Sequence, residues 1–181
     1  MRRTLIAVLV GATLAYPPAV YFGLRHLPPQ ALAAALAALI GLRLLLDRRG
    51  HWLPVGAALL VFSLVAVLRG DAVTLRFYPV LVNLAMLVLF AASLYRPPSL
   101  IERLARLREP DLPPEGVRYT RRVTQLWCLF FVLNGSVALY TALFTSLATW
   151  TLYNGFIAYL LMGTLFAVEL LCRTHLRKRQ P

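Results

Sequence analysis

Residues 123–144 read VTQLWCLFFVLNGSVALYTALF, a run of 22 residues without a charged side chain, introduced by Arg121 and Arg122. At about 1.5 Å rise per residue, a helix of ~20 apolar residues crosses the hydrocarbon core of a bilayer. The run therefore predicts a transmembrane helix, because a lipid-exposed backbone must satisfy its hydrogen bonds internally. Asn134 falls near its middle, at a depth where an amide finds no water and needs a protein partner. Trp127, Phe131, Ala138 and Thr141 share its face, one and two turns away. This stripe is expected to face other helices, with Asn83 of the preceding span as the preferred partner of Asn134.

Outward from this run the same signature recurs. Apolar stretches at 4–24, 31–46, 52–68, 72–95 and 150–172 predict five further spans. The first is kinked at Pro17-Pro18 and read as an uncleaved helix, since no small-residue cleavage site follows it. In the second, Ala33, Ala37 and Gly41 recur every four residues, a spacing that permits close helix approach. In the fourth, Arg76, Asn83 and Phe90 lie seven apart on one face. The expected fold is a single all-α membrane domain over 1–181, a bundle of about six transmembrane helices. The chain is 60% hydrophobic, against about 45–50% for a soluble domain.

Charge orients the bundle. The formal net charge of +12 comes from 19 Lys and Arg against 7 Asp and Glu. With the N-terminus inside, only Arg25, Arg69 and Arg76 fall on the outer side, and every other basic residue falls inside. The positive-inside rule then predicts that both termini are cytoplasmic. The basic surface is expected to meet anionic lipid headgroups and not nucleic acid.

The long cytoplasmic loop, 96–122, carries its own helix signal. Ser99 and Glu102 form a capping-box spacing, and Glu109-Pro110 marks the stop. Leu100, Ile101, Leu104 and Leu107 supply an apolar face flanked by Arg103, Arg106 and Arg108, the pattern of an amphipathic helix at a membrane interface, expected to dock on the cytoplasmic membrane surface or on the helix bundle. The following DLPPEGVRYT reads as an extended return.

Ionisable and amide groups inside spans are functional candidates by default. Here they are Asn83, Asn134, Asn154 and Glu169, with Arg76 and Arg43 nearer helix ends. Two roles are open for the asparagines, interhelical hydrogen bonding or lining a cavity. Glu169 is expected to pair with a loop arginine or with Arg43. Cys128 and Cys172 sit within apolar runs, which argues against a disulfide, and two cysteines make no zinc site. His26, His51 and His175 are not spaced as metal ligands, and neither a Gly-rich phosphate loop nor a G-x-S-x-G elbow occurs. No catalytic residue, metal or cofactor is expected.

Several segments carry a resemblance. FYPVLVN at 77–83, RPPSLIERLARL at 96–107, YTRRVTQLWCLFFVLNGSVALYTALF at 119–144 and WTLYNGFIAYLLMG at 150–163 resemble a family of small, uncharacterised bacterial inner-membrane proteins. That family is commonly encoded among genes for aryl polyene (xanthomonadin-like) pigments. Pro98, Ile101 and Arg103, with Trp127, Phe130, Phe131, Gly135 and Tyr140, are more distantly similar to the intracellular septation protein A family. The resemblance implies a role in envelope or lipid-linked pigment biogenesis, with protein partners from that machinery and no activity to carry over. Two readings follow from sequence: a non-enzymatic scaffold or accessory subunit, or a small transporter or flippase for a lipid-like or pigment precursor.

Overall fold

The computed structural model describes residues 27–46, 53–107 and 109–177. The expected first span, the Asp47-Arg48-Arg49 turn, Trp52, Arg108, Lys178 and Arg179 lie outside the described residues, as do the side chains of Arg43 and His175.

All regular structure among the described residues is helical: α1 (Pro29–Leu46), α2 (Leu53–Arg69), α3 (Ala72–Arg76), α4 (Tyr78–Tyr95), α5 (Leu100–Arg106), α6 (Pro114–Phe144), α7 (Leu147–Leu152), a π-helical turn (Tyr153–Ile157) and α8 (Ala158–Arg177). Among the described residues, three stretches are long and apolar enough to cross a membrane: Val73–Tyr95, Pro114–Phe144 and Leu147–Arg173. Shorter apolar helices cover Pro29–Leu42 and Gly56–Arg69. Outward-facing apolar side chains such as Leu126, Leu129, Leu133 and Val137 suit a helix whose solvent is lipid.

Two compact units divide the chain. Unit one holds residues up to Val82 together with Ala138–Ile157, and unit two holds Asn83–Val137 together with the residues from Ala158 onward.

In unit one, α1 packs along α2. Only the Ala33 end of the expected small-residue stripe is fully buried, beside Leu36 and Ile40, while a Cβ on Gly41 would meet no described atom within 4 Å. The close approach is instead at Gly56 of α2, where a Cβ would meet the Leu44 side chain. Ala33, Ala66 and Leu75 join α1, α2 and α3 in a small cluster, and Leu36, Ile40, Tyr78, Ala142 and Trp150 form a larger one. Between α2 and α3, Gly70 takes φ +66°, a conformation that suits glycine. Asp71 then caps α3, accepting from the Thr74 amide at 2.6 Å.

In unit two, Phe90, Val123, Trp127 and Phe131 are buried together, with Leu100, Ile101 and Met162 against them. Phe90 meets Phe131 edge-on at 5.1 Å between centroids, a favoured aromatic geometry. Here α6 departs from expectation, since the stretch before residue 123 is helical from Pro114 and not extended. Proline fits the first position of a helix, where its missing N–H is not needed, and Glu115 in the first turn suits the positive end of the helix dipole. Thr120 and Thr124 then bond back to the Val117 and Thr120 carbonyls at 2.9 and 2.8 Å.

Candidate functional site

The candidate polar residues resolve into separate sets, each made within one unit. In unit one the centre is Arg76, the last residue of α3. Its guanidinium Nη2 donates to the carbonyls of Thr141 and Thr145, where α6 ends. The final turn of a helix has carbonyls without intrahelical partners and a partial negative charge, so a cation there serves as a cap. Its Nε is buried without a hydrogen-bond partner among the described residues. Trp150, fully buried, donates its indole N–H to the Arg76 carbonyl at 3.0 Å.

Asn154 belongs to the same network. Its Nδ2 donates to Thr141 Oγ1 at 3.1 Å and to the Trp150 carbonyl at 2.9 Å. It sits in the π-helical turn, where the widened backbone shifts the usual hydrogen-bond register. The helix leading into this turn starts at Leu147, three residues before the expected span, because Ser146 accepts from the Thr149 amide and caps it.

In unit two, Asn134 Nδ2 donates to Asn83 Oδ1 at 3.0 Å, and both residues are buried. The bond anticipated from their depth is present. Its setting explains a residue whose part sequence reasoning missed: a Cβ on Gly135 would lie 3.1 Å from Asn83 Cβ. The glycine lets α4 and α6 approach closely enough for two short amides to meet. The whole expected stripe, Trp127, Phe131, Asn134, Ala138 and Thr141, is buried.

The loop helix α5 is in place, but its orientation differs from the one its pattern suggests. Ser99 occupies the N-cap with extended backbone yet makes no side-chain cap bond, and its hydroxyl is buried without a partner among the described residues. The Leu100 amide bonds instead to Ser93 Oγ of α4 at 2.9 Å. Glu102, the other half of the expected capping box, is buried and pairs with Arg106 at 2.9 Å. Arg103 donates to the carbonyls of Pro98 and Arg96 at 2.8 and 3.2 Å. These anchors turn Leu100 and Ile101 onto the aromatic cluster and leave Leu104 and Leu107 outward, 56% and 80% exposed. The four leucine and isoleucine side chains do not share one docked face.

Glu169 does not form the expected salt bridge with a described cation. It is half-buried, and its backbone carbonyl accepts from Tyr119 Oη at 3.2 Å, tying α6 to α8. Beside that contact opens a cleft of about 400 Å³, lined by charged residues of α6 and α8 and by the segment before α6. The sequence offered no local motif for it, since its walls are brought together from 109–122 and 173. Cys128 and Cys172 are both free thiols. No family model matches the chain, and no curated protein or solved structure is similar to it.

Proposed function

We propose that this chain is a multi-pass protein of the bacterial inner membrane, with six spans and both termini cytoplasmic. Its role is to support cell-envelope or lipid-linked aryl polyene pigment biogenesis as a non-enzymatic scaffold or accessory subunit. The biosynthetic setting rests on the resemblance carried by residues 77–83, 96–107, 119–144 and 150–163. One observation supports scaffold over transporter: the amides of Asn83, Asn134 and Asn154 bond to protein groups, and Arg76 caps a helix end. Side chains spent on holding helices together are not presented to a passing substrate. The outward Leu104 and Leu107 of α5 give the cytoplasmic face an apolar edge suited to the membrane interface.

The test is complementation of a deletion strain with Asn134→Leu, reading pigment and envelope integrity beside protein abundance. A scaffold loses function only in step with abundance. Loss of function at full abundance and unchanged melting would sink the scaffold reading in favour of transport. Reporter fusions after Leu68 and Phe144 are expected to be periplasmic, and those after Leu46, Tyr95 and Cys172 cytoplasmic. A periplasmic signal from within 103–118 would overturn the six-span topology.

A further inference from the structure

We infer that the cleft beside Tyr119 is a binding site for the phosphodiester headgroup of a single membrane lipid, with Arg122 and Arg173 as the groups that hold the phosphate. Both arginines line the cleft, one from the α6 side and one from α8. Neither makes a hydrogen bond or ion pair with a described residue. By contrast, Arg76, Arg103, Arg106 and Arg121 all donate to protein oxygens. Arginine is the side chain best shaped for phosphate, presenting two parallel N–H donors.

Depth points to lipid as the source of that phosphate. Arg122 is the last charge before the uncharged run 123–144, and Arg173 closes the apolar stretch Leu147–Arg173. Both therefore lie where hydrocarbon gives way to headgroups. The cleft also offers Leu112 and Pro113, an apolar wall against which a glycerol backbone can rest. A volume of about 400 Å³ lies within the range of small-molecule sites, roughly 300–1,000 Å³.

Charge limits the ligand further. Glu109 and Glu115 share the lining with Arg118, Arg122 and Arg173, so the site carries a net charge of about one positive unit. Arg118 and Glu115 form a loose, exposed pair at 3.9 Å, which leaves Arg122 and Arg173 for the ligand. One singly charged phosphodiester balances this set. A di- or triphosphate would place surplus negative charge against two carboxylates.

The experiment uses the full chain in mild detergent, with native mass spectrometry to follow adducts of phosphatidylglycerol. Diacylglycerol with the same acyl chains is the phosphate-free comparison, and sn-glycerol 3-phosphate is the soluble one. Phosphatidylglycerol should bind at least about tenfold more tightly than diacylglycerol, and Arg122→Gln with Arg173→Gln should remove about that factor. The control is Arg121→Gln, a neighbouring arginine outside the cleft, which should leave binding unchanged. Restoring the charge with Arg122→Lys and Arg173→Lys should recover part of the affinity.

Equal loss in Arg121→Gln would mean diffuse surface charge and overturn the site. Equal binding of diacylglycerol would overturn the role of phosphate. Displacement of the lipid by glycerol phosphate at matching concentration would overturn the membrane as the source. Circular dichroism melting of each variant separates lost binding from lost fold. If the double glutamine variant does not fold, either single variant carries the same test with a smaller change.

Discussion

The polar core of unit one and that of unit two solve the same problem with different materials. In unit one a charged side chain, Arg76, bonds to backbone carbonyls at the end of α6, and Trp150 and Asn154 complete the network. In unit two a neutral side-chain bond joins Asn134 to Asn83, both buried. The first solution uses atoms that are unpartnered by the geometry of a helix end. The second needs two side chains at matched depth and a glycine to bring them together. Unit one should therefore depend heavily on a single residue, while unit two should tolerate a coordinated replacement.

The largest expected effect follows from that difference. Arg76→Leu removes the donor to Thr141 and Thr145 and leaves helix-end carbonyls without their cap. Bonds to a charged group contribute about 1.5–3 kcal/mol each, so a loss of roughly 2–4 kcal/mol is expected after partial replacement by water. Trp150→Phe removes one neutral bond, worth about 1 kcal/mol, and also leaves a cavity where the fused indole ring was, adding roughly 1 kcal/mol. Equilibrium unfolding in mixed micelles measures both. A cost for Arg76→Leu no larger than the ~1 kcal/mol of one neutral bond would remove the distinction between a cation cap and an ordinary hydrogen bond.

The pair in unit two should behave otherwise. Asn134→Leu alone removes one donor from the buried Asn83 carbonyl oxygen and should cost roughly 1–2 kcal/mol. Replacing both asparagines with leucine removes the need for the bond, and the double variant should be more stable than the sum of the singles allows. A double-mutant cycle reads this coupling directly. Strict additivity would show that the 3.0 Å contact contributes nothing beyond shape.

A smaller effect on stability belongs to α5. Leu104 is outward, so Leu104→Asp should change unfolding by no more than about 0.5 kcal/mol. Function in the cell should nevertheless fall if that edge meets the membrane. Single cysteines at Leu100 and Ile101 should label slowly in detergent and in vesicles. Cysteines at Leu104 and Leu107 should be fast in detergent and protected in vesicles. Fast labelling at all four positions in vesicles would show that α5 leaves its dock.

These contrasts mark what sequence made legible. Helical class, the long apolar stretches and the buried stripe through Asn134 follow from period and depth alone. The partnership with Asn83 follows because few polar groups share that depth. The partners of Arg76 were hidden, since backbone carbonyls at the end of another helix leave no trace in composition. Ser99 and Glu102 misled for a related reason. Their spacing is that of a local cap, but Ser93 from α4 satisfies the Leu100 amide and Arg106 takes the carboxylate. A tertiary partner displaced a local motif, and the face of α5 rotated with it. The cleft at Arg122 and Arg173 was illegible because its walls are remote in sequence.

The smallest effect tests the cap at the start of α3, the helix that carries Arg76. Asp71 accepts the Thr74 amide and lies 3.3 Å from the Arg69 guanidinium. The Thr74 hydrogen bonds, with a lesser contribution from Arg69, hold its carboxyl below the ordinary carboxylate range. Because the native group resists protonation, the unfolded chain takes up this proton first as pH falls. The stabilisation is thus complete above the unfolded pKa and is lost as pH drops through the lower native value. Asp71→Asn keeps a side-chain acceptor for the Thr74 amide but cannot titrate, so unit one should lose this part of its acid sensitivity with little change near neutral pH. Asp71→Ala removes the cap at every pH and should cost an amount near the low end of the ~0.5–2 kcal/mol range for N-caps, since the site is exposed. Melting of wild type and both variants from pH 7 to pH 3 distinguishes them. The wild-type curve should converge on that of Asp71→Ala only at the acid end. If the wild type stays above it unchanged throughout, the neutral acid caps α3 as well as the carboxylate does, and charge at this helix start contributes nothing to seating Arg76.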